Sequence, residues 1–483
     1  MKKLAIVKIM QFLVYILPAA LFLSYFPVIS LGVGETMNFE LSVPLLWLIV
    51  FDVVAVIGVF RLKKTRMIAG KWYYYLFPFF VTLSVFWSSN VVRGVLTLGV
   101  MWAVIVAVVA FVIFRKEILD GEFKRKFWKW FFGAALVACV WCFAQCILDL
   151  AGVTREYSLM CLGCTYRSFG FPHPNGFAIE PQFMGNLLLA PTIICVWLLV
   201  NKTKLFSSVS RGALRAPVAL RLYSSKSLVL LTFIFTATLF LTFSRGAIYA
   251  FGVGLIFMSC YLITKANKRM VVAKRVGMAW FVVVFSFLFT LNLQGVMAEI
   301  SSTDEGYVDG ISRVVSQLSL GAINIKINES DEVVENSVEN FSEEAVFDGY
   351  VPESTDVRLK LTSVALELWR SDVRVMLFGV GIGGAGQALY EAGLIDSPKE
   401  IVQNEYTSLL LEVGAVGIML VIITLVGVLR WMWRLSGFSM VIPLVVAYGV
   451  SLCFFSGLPN ALHIYLLPIV LCLVCGKDKK ALA

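Results

Sequence analysis

Long apolar runs alternate with short polar segments along almost the whole chain. A bilayer core about 30 Å thick needs roughly 20 apolar residues for each helix that crosses it. The pattern therefore predicts an all-α, polytopic membrane protein with about twelve transmembrane helices and one large extracytoplasmic loop with an amphipathic helix. The predicted spans are 5–27, 42–60, 72–88, 92–114, 127–149, 176–200, 228–243, 247–264, 276–293, 406–429, 438–456 and 460–475.

The composition agrees with this pattern. Hydrophobic residues make up 59% of the chain and charged residues only 15%, and the mean hydropathy is +0.85. These values exclude a water-soluble globule of 483 residues. The first span follows a basic start, as a signal peptide does, but its apolar core is too long for one, so we expect an uncleaved anchor.

The distribution of positive charge predicts the orientation. The connections 61–71, 115–129, 201–226 and 264–275 are strongly basic, whereas the alternate connections are nearly uncharged or acidic. Because cytoplasmic loops carry the excess of Lys and Arg, we expect both termini in the cytoplasm. The net charge of +10 then anchors the protein to anionic headgroups, and no nucleic-acid binding is expected.

One predicted outer connection is much longer than the others, and it divides the chain into three parts. Residues 1–293 hold helices one to nine, 294–404 form the extracytoplasmic loop, and 405–483 hold the last three helices. The loop carries nineteen carboxylates against seven Lys or Arg, and its middle is poor in large apolar residues, which indicates a mobile insert. After the insert, an apolar stripe predicts an amphipathic helix. Its members are Val357, Leu361, Val364 and Leu368.

Two further motifs in the outer segments have a structural interpretation. The spacing Gly379-x-Gly381-x-x-Gly384 matches a dinucleotide fingerprint, but no strand–helix–strand unit surrounds it, so we expect a hinge or a close-packing site. Cys161 and Cys164 can form a disulfide in an oxidising compartment. A metal pair there lacks two further nearby ligands, so neither a metal nor a cofactor is expected.

Arginines on the outer side are unusual, because the positive-inside rule drives positive charge to the cytoplasm. Arg245 lies in the short connection "SRG" between two apolar runs, where it either snorkels to the headgroups or binds an anion between helices. Arg167 offers the same choice in "YRSFGFPHPNGFAIEP", a segment whose Pro and Gly residues predict a kinked or re-entrant backbone. Glu180 is predicted about one turn inside the following apolar run, where an arginine is its natural partner.

Several of these motifs resemble those of the O-antigen ligase and polymerase superfamily. "FSRGA", the helix with Arg358, "LFGVGIGG" and "QNEYTSLLLEVGAVG" follow one another in the order typical of that family, and "RSFGFPHPNGFA" resembles the segment before its central span. The likeness covers roughly 155–425. It implies an integral-membrane glycosyltransferase that moves a glycan from a polyprenyl diphosphate to an acceptor hydroxyl at the outer face of the inner membrane.

The reaction that the resemblance implies needs a cation, because the departing polyprenyl diphosphate gains negative charge. Many soluble sugar transferases use a metal held by Asp-x-Asp, and that tripeptide does not occur in this chain. Arginines are a metal-free alternative, since the guanidinium binds phosphate oxygens bidentately. We therefore assign Arg245 and Arg358 to the diphosphate, with Arg167 as a further substrate-binding residue.

The chain departs from the family pattern just before the tenth span. Ligases of this family typically carry His-Asn there, and this chain has Gln403-Asn404. A glutamine cannot accept a proton at neutral pH, so the role of base is open. Glu180 is one candidate and Glu405 lies beside the motif, while Gln403 can orient the acceptor. Asn175, Asn404, Glu405 and Tyr406 are assigned to substrate binding.

Two alternatives remain at this point. The missing histidine favours a glycan polymerase over a ligase that transfers to lipid A. A polysaccharide transporter or lipid-glycan flippase also fits twelve spans with cytoplasmic termini, but the two halves of the sequence show no repeat and the spans contain few charges. The expected partners are a polyprenyl-diphosphate-linked oligosaccharide donor, a glycan or lipid acceptor, and the lipid bilayer.

Overall fold

The structure is a computed structural model that describes residues 2–33, 37–62, 75–119, 121–153, 158–159, 173–201, 225–301, 306–319, 345–398, 402–434, 438–455 and 461–475. Helices dominate these ranges. In chain order they are α1 (Lys2–Phe22), α2 (Val43–Arg61), α3 (Leu76–Ser84), α4 (Val91–Ile113), α5 (Arg115–Ile118), α6 (Gly121–Leu150), α7 (Pro181–Asn201), α8 (Ser225–Leu241), α9 (Arg245–Lys265), α10 (Arg269–Ser301), α11 (Tyr307–Leu318), α12 (Ala345–Ser371), α13 (Val373–Phe378), α14 (Ala385–Glu391), α15 (Glu405–Trp433), α16 (Phe438–Ser451) and α17 (Leu462–Cys475).

Eight helices of the described ranges are long and apolar enough to cross a membrane, which agrees with an integral membrane protein. They are α1, α2, α4, α6, α7, α9, α10 and α15. Shorter apolar helices cover Leu76–Trp87, Lys226–Leu241, Ser439–Ser451 and Leu462–Val474. Each predicted span thus overlaps an apolar helix, while the total of twelve crossings and the orientation stay predictions.

A β-hairpin lies between α1 and α2, where the all-α prediction has no strand. Strand β1 (Pro27–Val33) pairs antiparallel with β2 (Met37–Ser42), in a register that runs from Pro27 opposite Ser42 to Val33 opposite Met37. The sequence contains a usable signal, because β-branched residues at Val28 and Ile29 precede a glycine-containing segment. The all-α prediction is wrong for this short segment.

The chain divides into two compact units. Unit 1 comprises Met1–Ala135, Ala250–Met258 and Lys360–Ala483, and unit 2 comprises Leu136–Tyr249 and Ser259–Leu359. In unit 2, α8 packs along α7 and α10, and α10 also packs against α11. In unit 1, α2 packs on α1 and α4, and α15 contacts α3 and α13.

The amphipathic helix exists, as α12, but one predicted member of its stripe is wrong. Leu361 is buried, and Val364 and Leu368 pack against the buried cluster around Ala365 and Leu411. Val357 is instead 46% exposed. The apolar side of α12 therefore begins one turn later than the spacing indicates. The predicted mobile insert covers 328–356. Its part up to residue 344 lies outside the described residues, whereas 345–356 form the first turns of α12, so the prediction is wrong for that part.

The glycine motif of the long loop is a close-packing site. The backbone N–H groups of Val380 and Gly381 donate to the carbonyls of Leu411 and Glu412, both at 2.9 Å. Gly381 has φ +87°, and a Cβ there would collide with the backbone of Ser88. Gly414 has φ +64° and interrupts α15, so the first turns of α15 run in a different direction from the rest. Only glycine allows both the backbone conformation and the close contact at these positions.

Candidate functional site

Arg245 begins α9, and its side chain is buried in unit 2. The turn before it ends α8, and the Ser244 hydroxyl caps α9 by accepting the Ala247 N–H at 3.4 Å. Arg245 is 6% exposed. A snorkelling arginine keeps its charged end in the polar headgroup layer. The burial of Arg245 therefore favours the alternative hypothesis, in which the guanidinium lies between helices.

One turn further along, Tyr249 fixes the start of α9 to α11. Its hydroxyl donates to the carbonyl of Leu318, the last residue of α11. The Arg245 charge lies within electrostatic reach of this phenol. Arg245 therefore lies at a helix end that the Tyr249 hydrogen bond ties to α11.

The turn that delivers Arg245 contains a residue in an unusual backbone conformation. Phe243 has φ +49°, a region that a bulky side chain rarely adopts and that costs about 1–2 kcal/mol. The ring of Phe243 packs against the buried imidazole of His173, with 5.4 Å between the ring centroids. Burial lowers the pKa of His173 to about 4, so the imidazole is neutral at neutral pH. His173 is therefore a packing support for the turn rather than a phosphate-binding cation.

Helix α7 lies against the same turn. A Cβ on Gly185 would come within 2.9 Å of the Cβ atoms of both Ser244 and Ala247. Glycine at this position lets the backbone of α7 approach the first turn of α9 more closely than any other residue would allow. The start of α7 and the start of α9 are thus neighbours within unit 2.

Glu180 stands at the start of α7, not inside it, which corrects the predicted position one turn within the span. Helix α7 begins at Pro181, and the Met184 N–H donates to the Glu180 carbonyl at 3.1 Å. Proline is favoured at a first helical position because its nitrogen needs no partner there. Burial raises the pKa of Glu180, and the nearby positive charge of Arg358 opposes that rise. The two groups lie in the same unit and interact electrostatically.

Asn175 is fully buried and shapes the turn before α7. Its amide nitrogen donates to the Ala178 carbonyl at 2.6 Å, and its oxygen accepts from Gln145 at 3.1 Å. Gln145 also accepts the Gly176 N–H at 2.8 Å and donates to the Gly176 carbonyl at 3.1 Å. The segment is bent, as its Pro and Gly residues indicate. The predicted substrate-binding role of Asn175 stays a prediction, and its contacts here are internal.

The residues predicted around the Gln-Asn motif lie in unit 1, at the start of α15. Gln403 is exposed, and the Asn404 side-chain oxygen caps α15 by accepting the N–H groups of Tyr406 at 3.1 Å and Thr407 at 3.3 Å. Glu405 is 9% exposed, whereas Tyr406 is 48% exposed. These positions differ sharply in exposure although they are consecutive in the sequence.

Tyr465 belongs to this group and was missed in the sequence. It lies on α17, and its hydroxyl donates to Glu405 Oε1 at 3.3 Å. A single tyrosine in an apolar helix is typical of membrane-interface residues, so nothing local distinguishes Tyr465.

Glu412, in α15, was missed in the sequence as well. Its side chain accepts hydrogen bonds from the backbone N–H groups of Gly383 and Ala385, and the positive charge of Arg93 acts on it. Glu412 therefore ties the glycine motif to α15.

Several predicted residues fall outside the described residues. Arg167 is one, and the segment that holds Cys161 and Cys164 is another, so their roles stay predictions. Within the described ranges, no group of three or more His, Cys, Asp or Glu side chains has the geometry to hold a metal ion.

Comparison with known proteins finds a family match over the middle of the chain. Residues 230–422 match the family model described as O-antigen ligase, a range that includes Arg245, Arg358 and the Gln403 motif. The resemblance to the O-antigen ligase superfamily is thereby confirmed. The match supports a membrane glycosyltransferase of the O-antigen ligase or polymerase type. No curated protein and no solved structure matches the chain.

Proposed function

We propose, from the O-antigen ligase match over residues 230–422, that this chain transfers a glycan from a polyprenyl-diphosphate-linked oligosaccharide at the outer face of the cytoplasmic membrane. The acceptor is a hydroxyl of another glycan, as in a polymerase, or of a lipid, as in a ligase. The observation that supports this most is the position of Arg245, a permanent positive charge buried at the first residue of a transmembrane helix.

The surroundings of Arg245 suit a diphosphate. The N-terminus of a helix carries a partial positive charge and unpaired N–H groups, so it favours an anion. A guanidinium removed from bulk water interacts with an anion more strongly than an exposed one, because the local dielectric is lower. Arg358 supplies a second guanidinium in the same unit, and Arg167 is the third proposed phosphate ligand.

The arginines would act mainly on the leaving group. As the bond between the sugar and the diphosphate breaks, negative charge grows on the bridging oxygen, and a fixed cation lowers the energy of that state. We propose that this replaces a metal ion. The reaction needs no proton gradient, because the broken phosphate ester bond supplies its driving force.

Glu180 and Gln403 are the proposed groups for the acceptor. Burial raises the pKa of Glu180, which brings it closer to neutral pH and makes its ionised form a better proton acceptor than an exposed glutamate. Gln403 is exposed and presents an amide that can orient a hydroxyl. Asn404 supports Gln403 indirectly, since its side chain caps α15.

The proposal is tested with purified protein in detergent, in the presence of a chelator and without a membrane gradient. Wild type with a polyprenyl-diphosphate oligosaccharide should produce longer glycans, or ligated product when the acceptor lipid is added, together with free polyprenyl diphosphate. Arg245→Ala should abolish transfer, and Arg245→Lys should restore little, because an ammonium does not reproduce the bidentate fork. Arg374→Ala, at an exposed arginine, is the matched control and should keep full transfer.

Three outcomes would contradict the proposal. A donor that stays chemically unchanged with wild type would identify a carrier. Near-normal product from folded Arg245→Ala would show that this arginine only snorkels to the headgroups. Loss of transfer in the presence of the chelator would show that the reaction requires a metal ion.

Glu180→Gln and Gln403→Ala separate the two proposed acceptor groups. Losing a positioned base typically costs about 10²–10⁴ in rate, so Glu180→Gln should reduce turnover more than Gln403→Ala. Turnover should also rise with pH through the raised pKa of Glu180, and this rise should vanish in Glu180→Gln. A larger loss in Gln403→Ala would show that the amide orients the acceptor and that deprotonation is late.

A further inference from the structure

Gln294, near the C-terminal end of α10, is an amide that the fold buries without a partner. Its side chain is 0% exposed. Within the described part of the chain, neither its amide nitrogen nor its amide oxygen has a hydrogen-bond partner. Burying an unpaired amide costs free energy, and most buried polar side chains of folded proteins are paired. A costly group of this kind is retained when it has another use, such as binding a ligand.

A regular pattern of hydrogen bonds places Gln294 at the end of α8. The hydroxyls one and two turns before it on α10, those of Thr290 and Ser286, donate to carbonyls of α8 at 3.3 and 3.4 Å. The carbonyls are those of Ala237 and Phe233. The spacing is four residues on both helices, so the next step brings Gln294 level with Leu241, the last residue of α8.

Packing joins this level of α10 to the turn that carries Arg245. Phe243, in that turn, belongs to one buried cluster with Met297 and Ala298, which follow Gln294 within the next turn of α10. Arg245 begins α9 two residues after Phe243. The Gln294 amide and the Arg245 guanidinium therefore stand at the same corner of unit 2, at the end predicted to face outward.

We propose that Gln294 donates a hydrogen bond to the departing diphosphate, beside Arg245. The inference rests on the proposed glycan transfer. In that reaction the acceptor oxygen bonds to the anomeric carbon and the acceptor's proton goes to the base. The bond from the anomeric carbon to the diphosphate breaks, and its electron pair stays on the diphosphate oxygen. A fixed donor stabilises this growing charge, and glutamine and asparagine amides serve as such donors in oxyanion sites.

An amide also suits a position next to an arginine. It adds a hydrogen bond to the phosphate without burying a second charge, which would cost more free energy than a neutral group. Gln294 thus complements Arg245: the guanidinium supplies the charge and the amide supplies a further directed hydrogen bond.

Close packing against α11 holds this part of α10 in place. A Cβ on Gly310 of α11 would come within 2.7 Å of the Ala298 Cβ and 3.1 Å of the Gln294 carbonyl oxygen. The Tyr307 hydroxyl, at the start of α11, donates to Asn292 Oδ1 at 2.6 Å. A donor whose backbone is already fixed needs little reorganisation when charge develops on the leaving group.

An internal water molecule is the competing explanation, because buried waters often pair with polar groups that lack a protein partner. Such a water needs about two to four polar partners. The side chains of the neighbouring cluster are hydrophobic: Cys146, Leu241, Phe243, Met297, Ala298 and Val314. The water would then depend on Gln294 and on backbone groups, so losing the amide would lower the stability. A ligand-binding amide predicts no such loss.

Gln294→Met tests this difference in purified protein in detergent. Methionine removes both amide groups and keeps an unbranched apolar side chain of similar length. Because the lost groups make no internal hydrogen bond, the midpoint of thermal unfolding should stay unchanged or rise. The kcat of transfer should fall by about 10²–10³-fold, the usual loss for one oxyanion donor, with a smaller change in the KM for the donor.

Binding of the leaving group alone gives a measurement that does not depend on turnover. A polyprenyl diphosphate without glycan should bind to Gln294→Met about fivefold or more weakly than to wild type. The polyprenol of the same chain length lacks phosphate and should bind equally to both. Thr290→Val is the matched control one turn earlier, where the hydroxyl already bonds to protein carbonyls. It should lower the unfolding midpoint and keep both kcat and polyprenyl diphosphate binding.

The possible results separate this inference from the proposed function. A lower unfolding midpoint with unchanged polyprenyl diphosphate binding in Gln294→Met would identify an internal water and overturn the inference, as would an unchanged kcat. Normal polyprenyl diphosphate binding by Gln294→Met but not by Arg245→Ala would keep the arginine assignment and remove Gln294 from the site. A wild type that binds polyprenyl diphosphate but never cleaves the donor would refute glycan transfer, and weaker binding by Gln294→Met would still place the amide at the phosphate.

Discussion

His173 should make the protein sensitive to mild acid, and the structure gives the size of the effect. Burial lowers its pKa from 6.5 to about 4 in the folded protein. Unfolding exposes the imidazole, which then binds a proton more readily than in the folded state. The stability that His173 contributes is therefore complete above pH 6.5 and is lost as the pH falls from 6.5 towards 4. From this difference, linkage predicts a loss of roughly 2.5 kcal/mol at pH 4.5 relative to pH 7.5.

Two variants isolate this contribution. His173→Phe keeps a ring against Phe243, and His173→Gln keeps a polar group, but neither titrates in this range. Chemical unfolding in detergent at pH 7.5 and pH 4.5 measures the change in free energy of unfolding. Both variants should lose about 2–3 kcal/mol less than wild type on acidification.

The comparison with wild type cancels the effects of other groups, including Glu180. Because burial raises the pKa of that carboxyl, its contribution has the opposite sign and grows as the pH falls. An acid response in both variants equal to that of wild type would refute the burial argument. A large destabilisation of His173→Gln but not of His173→Phe at pH 7.5 would show that the ring contact supports the turn before Arg245.

Other predictions concern packing, polar networks and topology. Gly185→Val should lower the free energy of unfolding by about 1–3 kcal/mol and reduce transfer, because the new side chain collides with the turn at Ser244. The midpoint of thermal unfolding measures the loss of stability, and an unchanged midpoint would contradict the close contact. Gln145→Leu should lower the free energy of unfolding by about 1–3 kcal/mol, because it leaves the Gly176 N–H without its partner. Gln403→Leu, at an exposed site, should change the free energy of unfolding little. Equal losses in the two variants would argue against a stabilising role for the Gln145 hydrogen bonds. Reporter tags after Ala483 and within 201–226 should lie in the cytoplasm and a tag near Glu335 outside, and one inverted tag would overturn the orientation.

The membrane helices were predictable because their signal is local. A helix that crosses a bilayer satisfies its own backbone and must be apolar over its whole length, so each span is visible in about twenty consecutive residues. The stripe of α12 is visible for the same reason, with Leu361, Val364 and Leu368 on its packed side. Boundaries were less predictable. Pro181, not residue 176, begins α7, because Phe177, Ala178 and Ile179 in the preceding turn extend the apolar run although their backbone is not helical.

The partners of the polar residues required the tertiary structure. Glu405 accepts a hydrogen bond from Tyr465, sixty residues later, and Gln145 binds the segment thirty residues after it. The positive charge of Arg358, which lies in a helix far along the chain, acts on Glu180. Composition and charge were enough to show which residue types stand near the membrane boundary, because they decide what a bilayer accepts. Only the fold decided which of them are buried, neutral or paired, because burial and pairing depend on segments that are far apart in the chain and share no local signal.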